Sequence, residues 1–187
     1  RYPVVRLCIP HYHPERDQTM TQSLSKARFL LTLMALVPAL LFGNAHAEGM
    51  SISDTVVKLP LEDGVSMDEA VESMKLRANA LNFKLVAHQP LYKELEAMGV
   101  ETKRVEIFQF CDARIAHTMI SENLDFAAYL PCRITLIEDK EGQAWLISMD
   151  LDRVIQIADL PPELLANATK VRDTITEIME AGASGDL

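Results

Sequence analysis

Two cysteines, Cys111 and Cys132, are the side chains of this sequence that are best suited to do chemistry. Cys111 directly precedes Asp112, a favourable N-cap residue, so its thiol is expected beside the start of a helix, where backbone N–H groups and the helix dipole stabilise a thiolate. Cys132 follows Pro131 at the expected start of a strand. If the two segments meet, three states are open: a structural disulfide, two separate buried thiols, or a working pair for redox exchange, sulfur transfer or Cu(I) or Zn binding.

Asp112, two histidines and two aromatic residues complete the set of candidate site residues. His88 and His117 are weak candidates for metal ligands beside the cysteines, but their spacing matches no established zinc pattern. His117 projects to the side of the apolar stripe of its expected helix, which predicts an exposed imidazole. Phe126 and Tyr129 belong to the apolar segment 124–131, which we expect to line a small pocket or an interface.

The sequence contains no motif that indicates a particular enzymatic reaction. Ser121 and Ser148 lie outside any Gly-x-Ser-x-Gly elbow, and the chain has no phosphate loop, dinucleotide fingerprint or haem-attachment motif. Glu106, Glu138 and Asp139 are expected to be solvated charges on a strand face or in a turn. We therefore predict a protein that is not a catalyst and that carries no cofactor.

Composition and charge indicate an acidic globular protein. The 187 residues are 49% hydrophobic and 24% charged, which suits one domain with a real core. Residues 1–47 contain five Lys or Arg and two acids, which leaves 13 Lys or Arg and 25 Asp or Glu in the remainder, a formal charge of −12. Such a surface repels phosphate backbones, so we expect no nucleic-acid partner.

The amino-terminal region has the pattern of a secretory signal. Residues 20–47 combine a short positive segment, an uncharged apolar run at 29–42 and small residues before Ala47, which predicts cleavage between Ala47 and Glu48 and a periplasmic or secreted protein. The apolar run is shorter than the roughly 20 residues that span a bilayer, so no stable membrane insertion is expected after cleavage. Residues 1–19 are interpreted as an over-long extension.

The remaining chain, residues 48–181, is predicted to form a single α+β domain, followed by a flexible tail at 182–187. Period-2 and period-3.6 patterns, together with a capping box at Ser66 and Glu69, place the elements. The expected strands are 55–61, 83–87, 104–110, 133–138 and 144–149, and the expected helices are 66–81, 90–98, 112–120 and 161–180. This order predicts a mainly antiparallel sheet with helices packed on one face.

Several of these segments resemble the domain-of-unknown-function 302 family. The matching stretches are Phe110-Cys-Asp-Ala-Arg-Ile-Ala116, Leu130-Pro-Cys132 and the hairpin from Ile134 to Ser148, and with the capped helix and second strand the resemblance covers about residues 55–180. It implies a compact domain of the TATA-binding-protein-like kind, commonly paired as a homodimer, with no settled activity. Asp112-Ala113 departs from the Asn-Pro that is more usual in relatives.

The resulting hypothesis is an exported, homodimeric binding or accessory domain for a small ligand or a periplasmic partner protein. The alternative is a thiol-based redox, sulfur-transfer or soft-metal protein that uses Cys111 and Cys132.

Overall fold

The computed structural model describes residues 51–186, and the predictions for residues 1–47 lie outside this range. The strands are β1 Val56–Pro60, β2 Lys84–Gln89, β3 Val105–Cys111, β4 Cys132–Glu138 and β5 Ala144–Met149. The α-helices are α1 Met67–Ala80, α2 Leu91–Ala97, α3 Ala113–Glu122, α4 Leu151–Ile157 and α5 Pro162–Ser184. Two short 3₁₀ helices occupy Ile52–Thr55 and Leu124–Tyr129.

The five strands form one antiparallel sheet in the order β1-β5-β4-β3-β2. Strands β2 to β5 follow one another across the sheet, and β1 adds to the far edge beside β5. The predicted α+β class with a mainly antiparallel sheet is therefore confirmed, as is the hairpin of β4 and β5. Strand β2 forms the opposite edge and carries a register shift between Leu85 and Ala87.

Alternation along the strands gives the sheet a buried inner face. On β3, Phe108 and Phe110 are fully buried, and Ile134 and Leu136 on β4 and Leu146 on β5 extend the same layer. Because successive side chains point to opposite faces, every second residue of these strands enters the core. The main hydrophobic core therefore lies between this face and the helices that cover it.

Helices α1 and α5 cover the inner face and run antiparallel to each other. Arg77 near the end of α1 pairs with Glu177 of α5 at 2.8 Å, while Gly182 near the end of α5 lies against Ala70 near the start of α1. The predicted capping box of α1 is present, with Ser66 Oγ accepting from the N–H of Glu69 and the Glu69 carboxylate accepting from the N–H of Ser66.

Three elements differ from the sequence-based expectations. Helix α4 was not predicted, and the apolar segment expected as a loop contains the 3₁₀ helix Leu124–Tyr129. Helix α5 continues to Ser184 and therefore includes residues 182–184, which were expected to belong to a flexible tail. Two of these residues, Gly182 and Ala183, are buried. The reason is that the end of α5 packs against α1 and β5. Within residues 51–186, no helix is both long and apolar enough to cross a bilayer.

Gly182 permits the close approach of α5 to α1, and replacing it with alanine tests that contact. A Cβ atom at this position would lie 2.6 Å from Cγ of Met74 and 2.9 Å from Cδ1 of Leu146. We expect Gly182→Ala to lower the free energy of unfolding by about 1–3 kcal/mol, because overpacking outweighs a helix-propensity gain of about 0.5–1 kcal/mol. Urea denaturation followed by circular dichroism measures this change.

Ala166→Gly provides the control, because Ala166 is exposed on the same helix. This variant reports helix propensity alone and should lose about 1 kcal/mol. A Gly182→Ala protein that is more stable than the parent would contradict the proposed close packing.

Candidate functional site

A small apolar cavity lies at the end of the sheet where β3 ends and β4 begins. Its volume is about 80 Å³. Phe110 pairs directly with Cys132, so Cys111, the next residue of β3, is brought beside the start of β4. Helix α3, the 3₁₀ helix Leu124–Tyr129, helix α4 and the first half of α5 supply the remaining walls.

Most of the residues selected from the sequence line this one cavity. They are Cys111, Asp112, Phe126, Tyr129 and Cys132. His117 does not join them, because it lies on the exposed side of α3, where its Nδ1 is 3.4 Å from Oγ of Ser121. The end of β3, the start of β4, the start of α3 and the apolar segment 124–131 therefore all contribute residues to this cavity.

The walls of the cavity are almost entirely apolar. Ile115 and Met119 of α3 form a second buried cluster with Leu164 of α5, separate from the main core, and Phe126 and Ala168 pack against it. Phe83 and Phe110 close the side that faces the main core. A space with this lining suits apolar groups better than water, which needs polar partners to be held.

The start of α3 does not activate Cys111 in the way that the sequence suggested. Asp112 caps the helix, and its Oδ1 accepts from the N–H of Arg114 at 2.9 Å and from the N–H of Ile115 at 3.3 Å. Burial and, second, the negative charge of Asp112 raise the pKa of the Cys111 thiol. The expectation of a stabilised thiolate is therefore wrong, because burial disfavours the charged form and the capping carboxylate, which already accepts from two helix amides, opposes a second negative charge.

Cys132 is the more deeply buried of the two thiols. Its side chain lies on the inner face of β4, and burial, followed by the neighbouring Cys111, raises the pKa of the Cys132 thiol to about 11. Both cysteines are free thiols in this structure. At neutral pH both are therefore protonated, and a protonated thiol is a poor nucleophile.

The four weak candidates for metal ligands do not come together. Cys111 pairs with Lys84 at the start of β2, whereas His88 lies near the end of that strand, opposite Phe108. His117 is turned away from the cavity, as described above. Within residues 51–186, no group of three or more His, Cys, Asp or Glu side chains is arranged to hold a metal ion.

His88 instead belongs to a charged cluster at the far end of β2 and β3. Its Nε2 lies 2.5 Å from Oε2 of Glu106, its ring stacks on Phe108, and Nε of Arg104 donates to Oε1 of Glu106 at 2.5 Å. Glu106 is only 4% exposed, so the prediction of a solvated charge there is wrong. Glu106 shares a strand face with Phe108 and Phe110. A carboxylate buried there requires polar partners, and His88 and Arg104 supply them.

A wider groove, which the sequence did not predict, lies on the other side of the cavity wall. It has a volume of about 670 Å³, and Tyr129, Leu130, Cys132, Leu151 and Val154 line both spaces. Helix α4, which was not predicted, supplies Leu151, Arg153, Val154 and Ile157 to this groove. The signal for this helix is Asp150, whose carboxylate accepts from the N–H of Arg153, followed by apolar residues with helical spacing.

A family model described as "Domain of unknown function DUF302" matches residues 57–182. This chain belongs to the DUF302 family. The resemblance of the central segments to this family is thereby confirmed, and the match contains every residue that lines the cavity. No curated protein matches the sequence.

A solved structure shows the same fold. The crystal structure of an uncharacterized conserved DUF302 protein from Bacillus stearothermophilus superposes with a TM-score of 0.58, and the match covers 68% of this chain and 97% of that chain. The sequence identity is 15%, so the similarity establishes the fold alone.

The raised pKa values of the two thiols predict slow alkylation at neutral pH. Iodoacetamide reacts with the thiolate, so we expect the rate at Cys111 to rise about tenfold per pH unit between pH 6 and 8, with Cys132 reacting more slowly throughout because it is buried. Peptide mass mapping after timed quenching measures both rates. Rapid labelling that does not change over this pH range would show an activated thiolate instead, and Cys111→Ser provides the control for Cys132 alone.

Proposed function

We propose that this DUF302 protein is an exported, non-catalytic accessory domain that binds a small apolar ligand in the cavity beneath residues 124–131. The observation that carries the proposal is the lining of this cavity, in which apolar side chains from the sheet, α3, α4 and α5 surround a small space at the edge of the main core. Concave apolar sites with a few polar groups are the usual form of small-molecule sites.

The size of the cavity limits the ligand. At about 80 Å³ it is smaller than the roughly 150 Å³ engineered cavity that holds benzene. A short alkyl segment fits this space, whereas a fused ring system does not. Each methylene group buried there contributes about 0.8 kcal/mol, so a few of them give measurable affinity.

The outer walls of the cavity are suited to admit a ligand. Neither the 3₁₀ helix Leu124–Tyr129 nor helix α4 contains a fully buried residue, and both are short. Segments with few buried contacts open at lower free energy than the core does. The sheet and α5 can therefore stay folded while these two elements move apart.

The protonation of the thiols supports a binding role over a catalytic one. Nucleophilic attack and disulfide exchange require a thiolate, and the pKa of each cysteine is raised. One observation still favours the thiol-based alternative, since two free cysteines share a cavity wall and thiolates are preferred ligands of Cu(I). Stoichiometric copper or zinc in the protein as purified, lost in Cys111→Ser, would favour that alternative.

Filling the cavity tests the binding proposal. Ala168 of α5 lines the cavity, so Ala168→Leu should lower the affinity for 1-octanol about tenfold, because roughly two methylene groups of the probe lose their place. Isothermal titration calorimetry measures the affinity, and circular dichroism checks the fold. Ala166→Leu on the exposed side of the same helix is the control and should bind like the parent. Equal affinity of parent and Ala168→Leu would refute the cavity as the site.

Export is part of the same proposal. It is supported by the apolar run at 29–42 and the small residues before Ala47, which lie outside the described residues. Glu48 should be the first residue of the protein recovered from the periplasm, and amino-terminal sequencing checks this position.

The proposed homodimer is supported by the edge strand β2. All six of its residues are exposed, including the apolar Leu85 and Val86, which are 38% and 54% exposed. An exposed edge with apolar side chains is a template for pairing with another strand. Antiparallel pairing of β2 with its copy would place the same patch on both sides of a two-fold axis.

Charge introduced at this edge should separate the two copies. We expect Val86→Lys to sediment as a monomer at concentrations where the parent is dimeric, because two lysines would meet across the two-fold axis. Ile52→Lys is the matched control, since Ile52 is an exposed apolar residue away from the edge. Sedimentation velocity distinguishes the forms, and a parent protein that is monomeric at high micromolar concentration would refute the dimer.

A further inference from the structure

We propose that the ligand is a single-chain amphiphilic anion, whose alkyl chain enters the apolar cavity and whose acidic head is bound by Arg133 in the adjoining groove. This inference rests on the proposed binding function and names the chemical class of the ligand. It is carried by three features of the structure: the shared wall, the difference between the two volumes, and an arginine without an acidic partner.

The cavity and the groove are neighbours across one thin wall. Tyr129 and Leu130 from the segment after α3, and Leu151 and Val154 from α4, contact both spaces. Cys132 at the start of β4 does the same. A chain-like molecule that parts the two short elements would therefore reach from one space into the other without crossing the main core.

The two volumes suit different parts of one molecule. The cavity, at about 80 Å³, accepts only a short alkyl segment, whereas the groove, at about 670 Å³, falls within the roughly 300–1,000 Å³ typical of ligand pockets. The groove also mixes apolar residues such as Ile147 and Met149 with polar ones such as Gln109 and Thr135. An apolar tail in the cavity and a polar head in the groove match this division.

The positive charge of Arg133 favours a negatively charged head group. Arg133 lies on the exposed outer face of β4, paired across the strands with Gln109, and within residues 51–186 its guanidinium makes no hydrogen bond or ion pair. By contrast, Arg77, Arg104 and Arg172 are each paired with carboxylates. In a chain with so many more acids than bases, an arginine that lines this groove without an acidic partner is suited to bind an anionic head.

The other charges in the groove do not cancel this preference. Arg153 adds a second positive charge, and its guanidinium donates to the backbone carbonyl of Asp54 at 3.1 Å. Asp150 is the acid that lines the groove, and its carboxylate caps α4 by accepting from the N–H of Arg153. The groove thus keeps a net positive charge, and arginine binds carboxylate, sulfate and phosphate heads by charge-assisted hydrogen bonds.

Matched eight-carbon probes test this inference by isothermal titration calorimetry at fixed ionic strength. We expect octanoate to bind about tenfold more tightly than 1-octanol, and octylammonium to bind more weakly than either. Arg133→Gln should reduce octanoate affinity to that of 1-octanol and leave 1-octanol binding unchanged. Arg114→Gln is the control, since Arg114 is exposed, has no acidic partner among the described residues and lines neither space.

The outcomes separate this inference from the proposed function. If octanoate and 1-octanol bind equally and Arg133→Gln alters neither affinity, the anionic head is refuted while the apolar site stands. If neither probe binds, the proposed function itself is refuted. If octanoate binds but Ala168→Leu does not weaken it, the alkyl chain does not occupy the cavity and the amphiphile is refuted.

Discussion

The pairing of β3 with β4 is the contact on which the rest of the domain depends. Its register places Phe108 opposite Ile134 and Phe110 opposite Cys132, all on the inner face. A slip of one residue would turn these side chains to the outer face and expose the core, so the register is strongly specified. The same register fixes where β3 ends, and therefore where Cys111, the start of α3 and the candidate cavity lie.

The main core and the candidate cavity lie in different parts of the domain. The main core lies between the inner face and helices α1 and α5, whose close approach depends on the missing side chain of Gly182. The smaller cluster around Ile115 and Leu164 is separate from this core and lies beside the cavity. Short elements with no fully buried residue cover the cavity, so the cavity can open locally without unfolding of the sheet.

Much of the fold could be predicted because its signals are local. Ser66 and Glu69 form the expected capping box, Asp112 is the expected N-cap, and the turn between β4 and β5 joins adjacent strands. Helix α4 was missed because seven residues hold little periodic signal, although Asp150 marks its start. The burial of Glu106 was not predicted, because the strand pattern shows which face Glu106 shares with Phe108 but not that His88 and Arg104 pair with its carboxylate.

The sequence by itself determined the order of the strands and of every α-helix except α4, and the acidic character of the domain, because periodicity, caps and composition are properties of short segments. It also selected five of the residues that line the cavity. Only the tertiary structure decided what those residues can do. It buried the Cys111 thiol beside the capping carboxylate of Asp112, and burial together with this negative charge raises the pKa of the thiol where the sequence favoured a thiolate. It also placed Arg133 in the wall of the groove without an acidic partner among the described residues, since the distances between side chains depend on strand register and packing.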